Sequence, residues 1–309
     1  MFIIQKISMP SKYDTQKQGI SIRIVKYLFL VPSFAILLYS TIVPSIWSIL
    51  ISFQNGKNFN DLKFSGINNY IKIFSDRDLI INIKNSLFIG IGSTVIAVFL
   101  GILLAFLIYR AGKTEGAAYR LIIFTPVMLP TAIVCLMFTF IFSPDMGILN
   151  NLLIAFGGEN LTQAWLSDPK YNVYAISFVA IWKITGLTMI LCAAGLQSIP
   201  ISFFEASRLD GASYFKQVTA IMLPLIMPVI RGALTFTLLT NFKSFDIVFS
   251  LTRGGPADSS SVIPLFIYKN AFSYNQFGYS AALGIMMMFI ILLTVLVFNK
   301  LIRGESYEF

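Results

Sequence analysis

The side chains able to do chemistry in this chain fall into two groups. One is scattered through otherwise apolar stretches: Lys183, Arg231, Thr237, Asn241, Lys243, Ser244 and Asp246. The other is a polar run from Glu205 to Pro224, set between two very apolar segments. Histidine is absent, which excludes His-based acid–base catalysis, His–Asp triads and most zinc or haem sites. Cys135 and Cys192 both lie in apolar stretches and read as small buried hydrophobes, with nothing to suggest a disulfide or a metal pair. Asp246 is the only acidic residue clearly inside such a stretch, so clustered acids of the kind an embedded enzyme needs are not visible. What remains is binding chemistry, with hydroxyls and an amide beside Phe242 and Phe245.

These residues need elements to hold them, and composition says what those elements are. Of 309 residues 56% are hydrophobic and 12% are charged. A soluble domain is roughly 25% charged. A bilayer is therefore the better solvent for this chain, and its fold class is expected to be all-α, a polytopic integral membrane protein. Six segments reach the length of about 20 apolar residues that a spanning helix needs. They are roughly 27–53, 83–109, 120–143, 171–197, 226–250 and 277–301. Pro126 and Pro130, four apart, mark the third as the one to kink. The first 26 residues carry Lys6, Lys12, Lys17, Arg23 and Lys26 with no cleavage site after a short apolar stretch, so they are expected to be a cytoplasmic segment preceding an anchor.

The net charge is +9, but the basic residues neither cluster nor interleave with aromatics, so nucleic acid is not expected as a partner. With the N-terminus inside, the inner connections collect 12 Lys and Arg and the outer ones eight. The bias places both termini, the tail 304–309 and the loop 201–224 in the cytoplasm. The domain organisation expected is thus a segment 1–26, a membrane domain 27–303 and that short tail.

Ionisable groups at bilayer depth are costly and face the protein interior or a water-filled path. Arg231, about two turns into the fifth span, reads as snorkelling. Lys243 and Asp246 are three apart on that expected helix, and either neutralise each other or line a path. Lys183 has no partner within reach on its own helix and needs an acceptor on another helix, on a partner, or in a hydrated cavity. Thr237, Asn241 and Ser244 fall on one helical face, which glues helices together or lines an aqueous cavity. For Thr237 and Ser244 helix packing is the favoured reading.

In the loop, Ser202 is placed to cap a short helix through Arg208, Asp210-Gly211 supplies a turn, and Ser213 is placed to cap a second helix to Leu223. The stretch resembles the EAA loop of bacterial binding-protein-dependent ABC importers: Glu-Ala-Ala, three residues, Gly, nine residues, Ile-x-Leu-Pro. Glu205, Ala206, Gly211, Ile221, Leu223 and Pro224 occupy those spacings, with Ser207 in place of the third residue. Leu209-Asp210-Gly211-Ala212 is similar to the form usual in carbohydrate importers. Further resemblances run through Gly66-Ile-Asn-Asn-Tyr70, Asp145 to Asn150, Ile181-Trp-Lys183, Gly195 to Pro200 and Leu251-Thr-Arg-Gly-Gly-Pro256, where Arg253 stands for a glycine. The permeases resembled are those of maltose, lactose and glycerol-3-phosphate import.

The resemblance implies a type I ABC importer permease fold in a bacterial cytoplasmic membrane. It also implies a second homologous permease, two cytoplasmic ATPase subunits and an extracytoplasmic solute-binding protein as partners, besides membrane lipid. Glu205 would anchor the docking helix, Asp210 and Gly211 would hold its turn, and Ala206 and Ser207 would allow close approach. Asn241 resembles a substrate-contacting Asn. No cofactor is expected on this chain, which is not expected to be an enzyme, with ATP-Mg belonging to the ATPase. Consistent with that, Gly112-Lys113-Thr114 ends like a phosphate-binding loop but has Leu107 where its first glycine is required. An ion-coupled secondary transporter and a permease for a non-sugar solute such as glycerol phosphate are the rival readings.

Overall fold

The computed structural model describes residues 27–56 and 61–302. The segment 1–26 and the tail 304–309, together with Lys57 and Arg303, lie outside the described residues. The chain is mostly helical. In order the helices are α1 Tyr27–Ser52, α2 Asn68–Ser75, α3 Arg77–Tyr109, α4 Lys113–Met128 and α5 Thr131–Ile141. They continue with α6 Ile148–Ala155, α7 Asn172–Gln197, α8 Ile201–Leu209, α9 Tyr214–Leu225 and α10 Met227–Phe242. Last come α11 Phe245–Leu251, α12 Ile263–Tyr268 and α13 Phe277–Leu301. Strands Gln54–Asn55 (β1) and Lys63–Phe64 (β2) pair antiparallel, Gln54 opposite Phe64.

Four helices, α1, α3, α7 and α13, are long and apolar enough to cross a membrane alone. Two more crossings arise when the bent pairs α4–α5 and α9–α10 each count as one. The third expected span is kinked, by 96° between α4 and α5. The break is at Pro130 and not at Pro126, which stays inside α4. Leu129 is extended (φ −74, ψ 137), the conformation that a following proline imposes. Pro130 then starts the next helix, where its missing N–H costs nothing.

The fifth span is not the single helix expected over 226–250. The helix begins earlier, at Tyr214, and bends by 67° at Ile226, two residues before Pro228. It stops at Phe242, and α11 starts after Lys243 and Ser244. Neither proline nor glycine marks that second break. The Asn241 carbonyl accepts from both the Ser244 hydroxyl at 2.6 Å and the Ser244 N–H at 3.3 Å, while the Phe245 N–H turns to the Lys243 carbonyl, so the helical pattern is not continued past Phe242.

Of the three apolar cores among the described residues, two hold the middle of the bundle together. The larger joins Val98, Ala105 and Ile108 of α3 to Met189, Cys192 and Leu196 of α7, and to Ile230, Leu234 and Leu238 of α10. The other joins Val134, Cys135 and Phe138 of α5 to Ile176 and Val179 of α7 and Val248 of α11. Small residues let the backbones approach, as in other membrane helix pairs. A Cβ on Gly101 would sit 2.7 Å from Thr188 Cβ, and Thr188 Oγ1 donates to the Ala97 carbonyl at 3.1 Å.

Between the helices, buried asparagines clamp the loops. Asn69 donates to the carbonyls of Ser52 and Gln54, both at 2.8 Å, and Asn150 to those of Pro144 and Gln163, both at 3.0 Å. Arg253, standing where the resemblance has glycine, takes the left-handed conformation itself at φ +53.

Candidate functional site

The run from Ile201 to Leu225 forms a helix, a turn and a second helix. α8 begins straight after Pro200, so its fixed φ starts the helix, and no side chain caps it; Ser202 is already the second helical residue and does not take the capping place expected of it. Asp210 closes the helix as its N–H bonds the Ala206 carbonyl at 3.1 Å. Gly211 follows at φ +70, a conformation glycine adopts without strain, and Ala212 N–H bonds the Ser207 carbonyl at 2.9 Å. Ser213 caps α9, accepting from the Lys216 N–H at 3.4 Å.

One side of α8 is fastened to the bundle. Phe204 belongs to the larger core, and its ring meets Tyr109 of α3 at 5.9 Å. Ser207 is buried and donates to the Phe204 carbonyl at 2.9 Å, so it faces its own chain and not the open side expected of it. From α9, Tyr214 donates its hydroxyl to the Phe106 carbonyl at 2.9 Å and lies under the Arg110 guanidinium, 4.6 Å from the ring centroid. The other side of α8 is open: Glu205 and Ala206 are exposed, and Leu209 is 90% exposed. Ile221, Leu223 and Pro224 are half-buried within α9, around Met222, which enters the core. α8 is thus a short lever with a free polar and apolar face, its root in the same core that holds α3, α7 and α10.

A second group meets mid-bundle. A small cavity of about 80 Å³ is lined by Lys183 and Ile184 of α7, Thr131 of α5, Thr240 and Asn241 of α10, and Ser244 and Asp246 at the break. The helix break brings Asp246 to the cavity that Lys183 also reaches, so Lys183 has its acidic neighbour on another element. Lys243 and Asp246 are separated by the break instead of sharing a helix surface, and they form no ion pair with each other.

Thr237, Asn241 and Ser244 are all buried. Asn241 Nδ2 donates to Thr94 Oγ1 of α3 at 3.0 Å, so one face of this amide holds helices together while the residue also lines the cavity. Thr237 is outside the cavity lining, and its hydroxyl has no hydrogen-bond partner among the described residues. Three residues were missed by sequence reasoning: Phe204 and Tyr214, which root the lever, and Thr240, which lines the cavity. No spacing flags them, since their roles depend on contacts between separate helices.

Residues 97–305 match the family described as "Binding-protein-dependent transport system inner membrane component". The chain is 32% identical over 288 residues to the probable ABC transporter permease protein YurN of Bacillus subtilis, covering 93% of this chain and 98% of that one. It is 29% identical to the trehalose/maltose transport system permease protein MalF of Thermococcus litoralis, covering 94% and 96%. Among solved structures, a bacterial ABC transporter involved in the import of the acidic polysaccharide alginate superposes with a TM-score of 0.81 at 24% identity. That match covers 94% of this chain and 98% of that one, and it carries the fold alone. A lever rooted in a bundle of broken and unbroken apolar helices, together with these matches, places the chain: it belongs to the binding-protein-dependent transport system inner membrane component family, the permeases of ABC transporters.

Proposed function

We propose that this chain is one of two homologous permease subunits of an ATP-driven importer for a sugar or a related polyol or oligosaccharide, working by alternating access. The observation that carries the reading is α8, a helix with an exposed face at Glu205, Ala206 and Leu209 and a buried root at Phe204. Such a helix transmits a push from outside the bilayer into the core joining α3, α7 and α10. Two cytoplasmic ATPase subunits holding ATP-Mg would supply the push, and an extracytoplasmic binding protein would deliver the solute. No cofactor or catalytic centre is assigned to this chain. Its place is the bacterial cytoplasmic membrane, with both termini and the 201–225 stretch on the cytoplasmic side.

Glu205 serves as the polar anchor on the docking face, with Asp210 and Gly211 holding the turn behind it. The solute path includes Lys183, Thr240, Asn241, Ser244 and Asp246, whose hydroxyl, amide and charged groups converge on one cavity. The sugar reading draws support from relatives named for trehalose and maltose and for lactose transport.

The test is Glu205→Lys in the transporter reconstituted with its second permease, ATPase and binding protein. Solute uptake is expected to fall at least about tenfold while the permeases still insert and pair. Unchanged uptake with an unchanged ATPase rate would remove the docking assignment.

A further inference from the structure

At the end of the bundle opposite α8 lies a groove of about 440 Å³ between α3 and the start of α7. Its floor is apolar, made by Ile81, Phe88, Val173 and Tyr174, and its rim carries Lys84 and Lys170. Phe88 and Tyr174 meet edge to face, centroids 5.2 Å apart. The back wall is braced, because Asn85 spends its amide on the carbonyls of Ser259 and Ser261, both at 2.8 Å. Neither lysine has an acidic partner among the described residues, and the nearby Asp168 carboxylate accepts from the Lys170 backbone N–H.

Helix length sets the depth of this groove. α3 has 33 residues, which is about 50 Å of helix against a hydrocarbon layer of about 30 Å. Counting about 20 residues back from Tyr109 brings the far boundary of the hydrocarbon close to Phe88. Lys84, one turn further, then stands at headgroup level. Tyr174, in the first turn of α7, lies beside Phe88, and Lys170 precedes that helix. Aromatic rings at the boundary with amines just above them match the layering of a phospholipid. Two unpaired ammonium groups above an apolar floor call for a ligand with an anionic head and an apolar tail.

We infer that this groove binds an anionic phospholipid of the leaflet opposite α8, its phosphate between Lys84 and Lys170 and the start of an acyl chain against Phe88 and Tyr174. The inference needs the membrane placement but not the identity of the solute. The test uses the assembled transporter in nanodiscs with equal phosphatidylglycerol and phosphatidylcholine, counting retained lipid by native mass spectrometry. The unaltered complex is expected to retain phosphatidylglycerol in preference, by at least about fivefold. Lys84→Gln with Lys170→Gln should cut that preference at least about threefold, whereas Lys84→Arg with Lys170→Arg should keep it, since arginine also pairs with phosphate.

Undiminished preference in the glutamine variant overturns the inference. So does displacement of the lipid by inorganic phosphate alone, which would make the groove a simple anion site. So, too, does unchanged lipid selectivity joined to weaker stimulation by the binding protein, which would assign the lysines to protein docking. Should the double variant fail to assemble, Lys170→Gln, in the loop before α7, is read alone by the same measure.

Discussion

The 201–225 stretch and the 237–246 stretch are both polar interruptions in an apolar chain, and they behave in opposite ways. In the first, charged Glu205 and Arg208 face outward, and the apolar ring of Phe204 anchors the helix in the core, with buried Ser207 beside it. In the second, polar residues are the anchors: Asn241 bonds α3 and Ser244 bonds its own helix end, while Lys183 and Asp246 share a cavity. The difference follows from the surroundings. At a water-facing end the hydrophobic effect seats an apolar side chain in the core. Inside the bilayer apolar side chains have no such drive, so packing and hydrogen bonds decide which helices hold together.

Breaking the first region should have the larger consequence. Gly211→Val forces a branched residue into the left-handed conformation at φ +70 and displaces the turn behind α8. Uptake is expected to drop at least about tenfold while ATPase activity loses its response to the binding protein. Normal coupling in this variant would mean the turn does not position the docking face. Phe204→Ala sharpens the same point from the buried side. Removing the ring should cost about 3 kcal/mol of packing, read as lower thermal stability of the complex together with partial uncoupling. Uncoupling without any loss of stability would place Phe204 on the docking face instead.

The second region predicts smaller, separable effects. Lys183→Met should raise the solute concentration needed for half-maximal uptake by about tenfold or change which solute is accepted, with ATPase coupling intact. If it lowers only stability, Lys183 is a structural partner of Asp246. Asn241→Leu removes the bond to Thr94 and should cost about 1 kcal/mol in helix packing, measured by thermal denaturation, in addition to any effect on uptake. Thr237→Val should be close to neutral, within about 0.5 kcal/mol, because the hydroxyl it removes has no partner to lose. A large loss there would mean that Thr237 contacts the solute in another state of the cycle.

Legibility in the sequence followed the range of the interactions. The helix, turn and helix of 201–225 rest on neighbours in the chain, with Pro200 starting α8, Gly211 ending it and Ser213 capping α9. The 96° bend at α4–α5 was foreshadowed by Pro126 and Pro130, although only backbone geometry assigns it to Pro130. The break after Phe242 carries no proline or glycine, so hydropathy ran through it and paired Lys243 with Asp246 on a helix that does not continue. Ser207 looked like a small residue on an open face and proved to be part of the root of α8.

Consecutive residues were enough to specify a mostly helical membrane chain with a polar helix, turn and helix at 201–225, because apolar run length and local turn chemistry depend only on neighbours in the chain. The tertiary structure alone decided which side of that element is rooted, that Lys183 and Asp246 line one cavity, and that asparagines clamp the loops. Those outcomes depend on pairs of residues tens to hundreds of positions apart, and no periodicity along the chain encodes their meeting.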